Sequence, residues 1–329
     1  LILRNYWALV LGQLTGTVAG VALSYILHDY RPRWSLKFAS EYLRFGMKIV
    51  PLQIANTLRG TAPVFFVAGV GNATILGSFR VASELANLFT SEIVLPMGRG
   101  LLPNYSRLAD RPNELSVMYR KILGLVALVC IPVGAGVSAV AQDLTLVLLG
   151  SQWGFAADLI QYLAISAALF ALSTAMVNQI LVATGHEKSA ALLAWVRLGI
   201  TVPILWVGLQ IGDVIGLARA SIVAPIACLP FIYLEVRRAV TLTLGALFGL
   251  IWRPMLAAWM MYLAVKGLHI THLDWAILRL AVDALLGSGV FIVVTMALWM
   301  ASGRPDSAER IALDSVGATV GKLITKFSR

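Results

Sequence analysis

Long apolar stretches, separated by short polar connections, make up most of the chain. A helix needs about 20 mostly apolar residues to cross the hydrocarbon core of a bilayer, and about nine stretches of the chain satisfy this length. The pattern therefore predicts an all-α polytopic membrane protein with about nine transmembrane helices. The predicted spans are residues 6–27, 46–70, 73–103, 118–140, 156–183, 189–210, 213–234, 246–267 and 276–301.

The composition of the 329-residue chain supports this prediction. Hydrophobic residues make up 59% of the chain and charged residues 13%, and the mean hydropathy is +0.83, whereas soluble domains contain about 45–50% apolar and about 25% charged residues. An intrinsically disordered protein and an ordinary cytosolic enzyme are both excluded. The two cysteines, Cys130 and Cys228, lie in apolar stretches, which predicts buried thiols rather than a disulfide or a metal site.

The net charge of +10 arises from 26 Lys and Arg residues against 16 Asp and Glu residues. Eighteen of these cations fall in alternate connections and in the C-terminal segment, while the opposite connections hold two. Because positively charged loops remain in the cytoplasm, the cation-rich face and the C-terminus are predicted to be cytoplasmic. An odd number of spans then places the visible N-terminus outside, so further helices are expected upstream of Leu1 and the chain is expected to be N-terminally truncated.

The remaining cations are six arginines within the predicted spans. Arginine stays charged when buried, so each one needs a partner, a hydrated cavity or a position at the membrane interface. These residues are Arg59, Arg80, Arg99, Arg197, Arg219 and Arg279.

The third predicted span carries a polar stripe. Arg80, Glu84, Asn87 and Ser91 recur at i, i+4, i+7 and i+11, which places them on one helix face. That face is expected to point into the helix bundle. Arg80 and Glu84 could neutralise each other and hold two helices together, or the stripe could form one wall of a hydrated cavity, which its extension to Asn87 and Ser91 favours.

The second predicted span carries a shorter polar strip of Gln53, Asn56 and Arg59. Arg59 has no acidic residue within one turn, so it could bind an anion or pair with Glu84. Arg197 and Arg219 likewise lack local carboxylates. The planar guanidinium suits phosphate oxygens, so this set predicts a cavity for an anionic substrate, although snorkelling or a cross-helix ion pair remains open for each arginine alone.

The other polar groups indicate structure rather than chemistry. Arg279 and Asp283 stand at i, i+4 in the last span and are predicted to form a structural ion pair. His269 and His272 have no evident third ligand, so no metal site is predicted. The sequence contains no Walker motif, no nucleophile elbow and no large outer loop that could hold a catalytic site. A non-enzyme without a cofactor is therefore expected.

The order and spacing of several short stretches resemble those of bacterial polysaccharide flippases. These form the polysaccharide-transporter branch, with O-antigen and exopolysaccharide members, of the multidrug/oligosaccharidyl-lipid/polysaccharide (MOP) exporter superfamily. The matching stretches are YWALVLG at 6–12, YRPR at 30–33, FRVA at 79–82, LP at 95–96, LPNYSRL at 102–108, LGSQW at 149–153 and LVATGH at 181–186.

This resemblance implies a division of the chain. Members of the family are built from two six-helix lobes around a central cavity, some with two extra helices, and this chain would begin at helix six of fourteen. Residues 1–45 would be the last helix of an incomplete N-terminal lobe plus a cytoplasmic loop, and residues 46–240 the C-terminal six-helix lobe. Residues 241–302 would form two additional transmembrane helices, and residues 303–329 a cytoplasmic basic tail.

The resemblance also implies a function. A flippase of this kind would move an undecaprenyl-diphosphate-linked oligosaccharide across the bacterial inner membrane by alternating access, for lipopolysaccharide or exopolysaccharide biosynthesis. Arg59, Arg80, Asn87 and Arg197 would lie on the cavity face, and Glu84 is the candidate for coupling to H⁺ or Na⁺. Family members often carry an acid where this chain has Pro63.

The expected partners are the lipid-linked oligosaccharide, the lipid bilayer and polysaccharide polymerase or export machinery, with no nucleic acid. Two alternatives remain open from the residues. One is a cation-coupled drug or metabolite exporter of the same superfamily, which an acid-rich cavity would favour. The other is a membrane enzyme of polysaccharide synthesis, which a large outer loop with clustered His, Asp or Glu would favour.

Overall fold

The computed structural model describes residues 7–27, 39–174, 177–240, 243–268, 275–303 and 308–310. Within these ranges the regular structure is entirely helical, which confirms the predicted all-α class. A 3₁₀ turn at Ser151–Trp153 precedes α6. The helices are α1 Trp7–Leu27, α2 Ala39–Val70, α3 Ala73–Arg107, α4 Pro112–Ala139, α5 Ala141–Leu148, α6 Gly154–Thr174, α7 Val177–Ala183, α8 Glu187–Ala239, α9 Leu244–Gly267 and α10 Ala276–Ala301.

The chain divides into two compact units, residues 1–47 and residues 48–329. The first unit contains α1 and the beginning of α2, and the second contains the rest of α2 and the helices that follow. Asn72 separates α2 from α3 and caps α3, because its Oδ1 accepts a hydrogen bond from the backbone N–H of Ile75 at 2.9 Å. Thr243 caps α9 in the same way.

Five helical segments in the described residues are long and apolar enough to cross a membrane. They are Pro112–Ala139, Ser151–Ala183, Glu187–Ala239, Leu244–Gly267 and Ala276–Ala301. The sequence pattern predicts about nine spans, and part of the difference lies in α8, which contains two of the predicted ones. The predicted spans in α2 and α3 also form long helices, but these two helices are less apolar because they carry the polar residues described below.

Helix α8 is a helical hairpin rather than one rod. As a straight helix its 53 residues would measure about 80 Å, far more than the roughly 30 Å of a hydrocarbon core. The backbone leaves the helical conformation at Gly212 (φ −146°, ψ 30°) and at Asp213 (φ 52°, ψ −144°). We refer to residues 187–211 as the first arm and residues 214–239 as the second arm. They correspond to the predicted spans 189–210 and 213–234.

The two arms approach each other closely next to the bend. A Cβ atom added to Gly208 would lie 2.7 Å from the carbonyl oxygen of Gly216 and would also overlap the Cβ of Ala220. Small residues are the usual means by which membrane helices come into backbone contact. Gly208 and Gly216 therefore allow the hairpin to close.

We expect Gly208→Ala to lower the free energy of unfolding by about 1–3 kcal/mol, because the arms must move apart to accommodate the methyl group. Gly199→Ala, on the same arm, is the matched control, since its Cβ would meet nothing within 4 Å. Thermal or denaturant unfolding of the purified protein in detergent measures both. Equal stability of the two variants would contradict the close contact.

Two apolar clusters form the core of the second unit. The bend-side core lies near the bend of α8 and includes Phe79, Leu159, Leu209, Val214 and Leu217. The distal core lies toward the other ends of the same helices. It includes Tyr105, Tyr119, Ile180, Leu193 and Val236.

An ion pair ties α10 to α5. Arg279 Nη2 donates to Asp143 Oδ1 at 2.7 Å, and the two side chains are 21% and 7% exposed. The i, i+4 spacing predicts Asp283 as the partner of Arg279, whereas Asp143 lies 136 residues away in sequence. Asp283 is buried one turn along α10, and its predicted pairing with Arg279 stays a prediction.

Candidate functional site

A polar cavity separates the two cores of the second unit. Along α2, Ala55 belongs to the distal core and Val67 to the bend-side core, and Arg59 lies between them. Arg197 occupies the same intermediate level on the first arm of α8. Because each helix gives apolar side chains to both cores and polar ones to the level between, the packing of the cores sets the position of the cavity.

The cavity has a volume of about 380 Å³, within the range of ~300–1,000 Å³ typical of small-molecule sites. Residues of α2, α3, α6 and both arms of α8 line it. The polar and ionisable residues of the lining are Arg59, Thr61, Arg80, Ser83, Glu84, Asn87, Ser166, Ser173, Arg197, Thr201, Ser221 and Cys228.

Arg59 is positioned by an aromatic ring. Its guanidinium carbon lies 4.2 Å from the centre of the Phe170 ring, a cation–π contact that orients the guanidinium plane. Its Nε is buried and has no hydrogen-bond partner, and Arg59 forms no ion pair within the described residues. The ring thus holds the cation in place without neutralising its charge.

Arg197 is almost completely buried, with 2% of its surface exposed. Its Nη2 donates to the backbone carbonyl of Ser173 at 2.9 Å, which fixes the side chain across the α6–α8 contact. Arg197 and Arg59 line the same cavity, and like charges in one cavity repel each other. Two cations in the lining of one cavity favour a negatively charged ligand between them.

The polar stripe of α3 forms another wall of the cavity. Arg80, Glu84 and Asn87 are exposed along it, and the Asn87 side-chain amide donates to the carbonyl of Ser83 at 2.7 Å. In the part of the chain that the structure describes, no ion pair joins Arg80 to Glu84. Of the two interpretations of the stripe, the cavity wall fits these observations and the self-neutralising pair does not. The side chain of Ser91 lies outside the described residues.

Three residues that the sequence placed in the cavity lie elsewhere. Gln53 and Asn56 lie within two turns before Arg59 and are not part of the lining. Arg219 is exposed on the second arm of α8, where its guanidinium stacks on Tyr162 at 5.2 Å and its Nη2 donates to the tyrosine hydroxyl at 3.3 Å. The tyrosine therefore accounts for the position of Arg219. The side chain of Arg99 is outside the described residues.

Helix α6 supplies a wall of the cavity that the sequence pattern did not predict. Ser166, Phe170 and Ser173 face the cavity, and Ser166 Oγ donates to the carbonyl of Ser221 at 2.7 Å, which joins α6 to the second arm of α8. The available signal was the spacing of the two serines by seven residues, with the phenylalanine between them, in an otherwise apolar stretch.

The described residues contain no group of three His, Cys, Asp or Glu side chains that could hold a metal ion. With three arginines and one glutamate in its lining, the cavity carries a positive balance of charge. Such an arrangement can bind an anion through charge-assisted hydrogen bonds. The nearby hydroxyl groups can bind sugar or water.

The chain is similar in sequence to proteins of bacterial polysaccharide biosynthesis. A protein-family profile described as "Polysaccharide biosynthesis protein" matches residues 1–158, just under half of the chain. The succinoglycan biosynthesis transport protein ExoT of Rhizobium meliloti (strain 1021) is 23% identical over 299 residues. The chain therefore resembles this polysaccharide transport protein in sequence. It is also 22% identical over 169 residues to the lipopolysaccharide biosynthesis protein WzxC of Escherichia coli (strain K12).

A solved structure shares the fold. The lipid II flippase MurJ in its inward closed conformation matches 87% of this chain with a TM-score of 0.67 and 12% sequence identity. The match shows that the chain shares the helical fold of this structure. The chain spans 60% of the length of ExoT, 34% of WzxC and 59% of MurJ. The relatives that are named for an activity are a transport protein and a flippase rather than enzymes.

Proposed function

We propose that the protein translocates an undecaprenyl-diphosphate-linked oligosaccharide across the inner membrane for envelope or extracellular polysaccharide biosynthesis. The observation that carries this proposal is the cavity in which Arg59 and Arg197 lie together, without an ion pair at Arg59. The transport function in the name of ExoT and the lipid substrate in the name of MurJ support it. The C-terminus would face the cytoplasm.

In this mechanism the two guanidinium groups bind the diphosphate. Each can donate paired hydrogen bonds to phosphate oxygens. The hydroxyl oxygens of Thr61, Ser166 and Ser221 donate their protons to backbone carbonyls and can accept hydrogen bonds from the hydroxyl groups of the oligosaccharide. The diphosphate thereby exchanges its water shell for fixed donors, which lowers the cost of moving a charged group through the membrane.

Alternating access would expose this cavity to one side of the membrane and then to the other. Glu84 is our proposed coupling residue, because it is exposed on the cavity wall close to the level of the arginines. Uptake of a proton or Na⁺ by Glu84 would make the cavity more positive by one unit and would strengthen the binding of the diphosphate. Release of that ion would weaken the binding again.

A cation-coupled drug or metabolite exporter is the second candidate. Glu84 is the one observation in its favour, since an acid in the cavity attracts organic cations. Three arginines line the same cavity and repel such cations. The balance of charge therefore favours the anionic substrate.

Transport in proteoliposomes separates the two candidates. We expect the protein to move a labelled undecaprenyl-diphosphate-linked oligosaccharide from one leaflet to the other, measured by the access of a glycan-modifying enzyme added outside. Liposomes without protein give the background rate. Movement of a fluorescent organic cation without movement of the lipid-linked glycan would overturn the proposal in favour of the exporter.

A further inference from the structure

Arg59 shares its cavity with both an aromatic ring and a carboxylate. Phe170 of α6 and Glu84 of α3 line that cavity together with it. Arg59 and Glu84 stand equally far along the chain from the short connection between α2 and α3, and both helices supply side chains to the bend-side core. The two side chains therefore start from about the same level. Within the described residues no ion pair joins them, and the guanidinium stacks on Phe170 instead.

A guanidinium uses its flat face and its edge for different partners. The face contacts an aromatic ring, whereas the N–H groups at the edge donate to carboxylate or phosphate oxygens. The contact with Phe170 leaves the edge of Arg59 available, since its Nε has no hydrogen-bond partner. An ion pair with Glu84 would occupy that edge. Glu84 and a diphosphate thus compete for Arg59, but Phe170 and a diphosphate do not.

The helix that carries the ring is anchored on both sides of it. One turn before Phe170, Ser166 Oγ donates to the carbonyl of Ser221 at 2.7 Å. Three residues after it, the carbonyl of Ser173 accepts from Arg197 Nη2 at 2.9 Å. These contacts tie α6 to both arms of α8, so the position of the ring does not depend on its contact with Arg59.

We infer that Phe170 is a positioning residue that keeps Arg59 from pairing with Glu84 and so leaves the charge of Arg59 available to the diphosphate. This inference rests on the proposed function and adds to it a residue that carries no charge itself. Without the ring, the guanidinium would turn towards Glu84, because opposite charges in one cavity attract each other. The substrate would then have to break an ion pair in order to bind.

Phe170→Leu tests the ring, because leucine keeps an apolar side chain and removes the aromatic face. Calorimetry measures the binding of inorganic diphosphate to the purified protein in phosphatidylcholine nanodiscs. We expect Phe170→Leu to weaken this binding about 3- to 30-fold, equivalent to ~0.6–2 kcal/mol, the range of a cation–π contact. Phe170→Tyr keeps the aromatic face and should bind like the wild type. Phe170→Met, which also lacks a ring, replaces the leucine variant if that variant fails to fold.

Glu84→Gln separates positioning from packing. In the wild type this change makes the cavity more positive and should strengthen the binding of diphosphate. In the Phe170→Leu background it should strengthen the binding by a several-fold larger factor, because it also removes the competing partner of Arg59. The double variant should recover most of the affinity that Phe170→Leu loses. A loss of packing around position 170 would not be reversed by a change on α3.

Tyr162→Leu is the matched control. Tyr162 is also a ring of α6 that stacks on an arginine, with its centre 5.2 Å from the guanidinium carbon of Arg219, but neither residue lines the cavity. We expect Tyr162→Leu to bind diphosphate like the wild type. Thermal unfolding of every variant reports whether it is folded.

The outcomes distinguish this inference from the proposed function. Wild-type affinity in Phe170→Leu, an equal gain from Glu84→Gln with and without the ring, or an equal loss in Phe170→Tyr or Tyr162→Leu would overturn the role of Phe170. The proposed function would survive each of these results if the wild type still bound diphosphate and moved the glycan. Absence of both activities in the wild type would instead overturn the proposed function.

Discussion

Replacement of Arg59 by Gln is expected to weaken diphosphate binding by about 10- to 150-fold. A hydrogen bond to a charged group contributes about 1.5–3 kcal/mol, which corresponds to that range of affinity. Glutamine keeps a donor and much of the side-chain length but removes the positive charge and the contact of the guanidinium with Phe170. Calorimetry with inorganic diphosphate and transport of the lipid-linked glycan in proteoliposomes measure the effect.

Removal of both arginines should abolish transport. Arg197→Gln changes a buried residue that also donates to Ser173, so the thermal stability of this variant must be measured together with its diphosphate binding.

Arg59→Lys separates the effect of the charge from the effect of the guanidinium shape. We expect it to retain part of the affinity, because lysine keeps the charge but cannot form the planar pair of hydrogen bonds.

Arg219→Gln is the matched control for this experiment. Arg219 is also an arginine of a predicted span, but it stacks on Tyr162 and is absent from the cavity lining. We expect its substitution to leave diphosphate binding within about twofold of the wild type, since surface changes away from a site have small effects. The sequence-based prediction gives the opposite result, because it assigned Arg59 and Arg219 the same role. A loss with Arg219→Gln equal to that with Arg59→Gln would contradict the cavity described here.

The helix content and the polar wall of α3 could be predicted because both depend on local periodicity. Arg80, Glu84 and Asn87 share one face at helical spacing, and that face lines the cavity. Helical spacing does not identify the cavity-lining residues of α2. Gln53 and Asn56 share the helical spacing of Arg59, but Leu52 and Ala55 pack into the distal core beside them, and the cavity begins only beyond that core.

Contacts between distant parts of the chain could not be predicted from spacing. The partner that the structure gives Arg279 lies 136 residues earlier, and the rings that position Arg59 and Arg219 belong to α6. An aromatic residue in an apolar helix carries no sequence signal that it will stack on a particular arginine. Likewise, Ser166 and Ser173 contribute to the site only because α6 packs between α3 and α8.

The largest effect on stability is expected at an ion pair near the C-terminus. Arg253 Nη1 on α9 lies 2.9 Å from Glu309 Oε1, and each side chain is only 6% exposed. Residues 303–329 were predicted to be a basic cytoplasmic tail, yet Ala308 and Glu309 are buried. A Cβ atom at Gly124 of α4 would lie 3.0 Å from the Cβ of Ala308, so this short segment packs against α4 as well as α9.

Glu309→Ala should lower the free energy of unfolding by about 3–5 kcal/mol, because it leaves the buried charge of Arg253 uncompensated. The double variant Arg253→Met/Glu309→Met removes both charges and should recover most of this loss, since apolar residues can replace a buried pair at little net cost. Unfolding in detergent measures the stability of each variant. Protease cleavage after α10 measures whether the segment around Glu309 stays docked.

The pair Arg111–Glu114 is the matched control for this last prediction. Its atoms lie 3.4 Å apart, but its side chains are 67% and 58% exposed. Glu114→Ala should therefore cost less than about 1 kcal/mol, because water screens an exposed pair and solvates the charge that remains. If Glu309→Ala were as mild as Glu114→Ala, or if the double variant were less stable than Glu309→Ala alone, the burial of the C-terminal segment would be contradicted. A large loss that the double variant reverses would locate the cost in the unpaired charge of Arg253 rather than in lost packing.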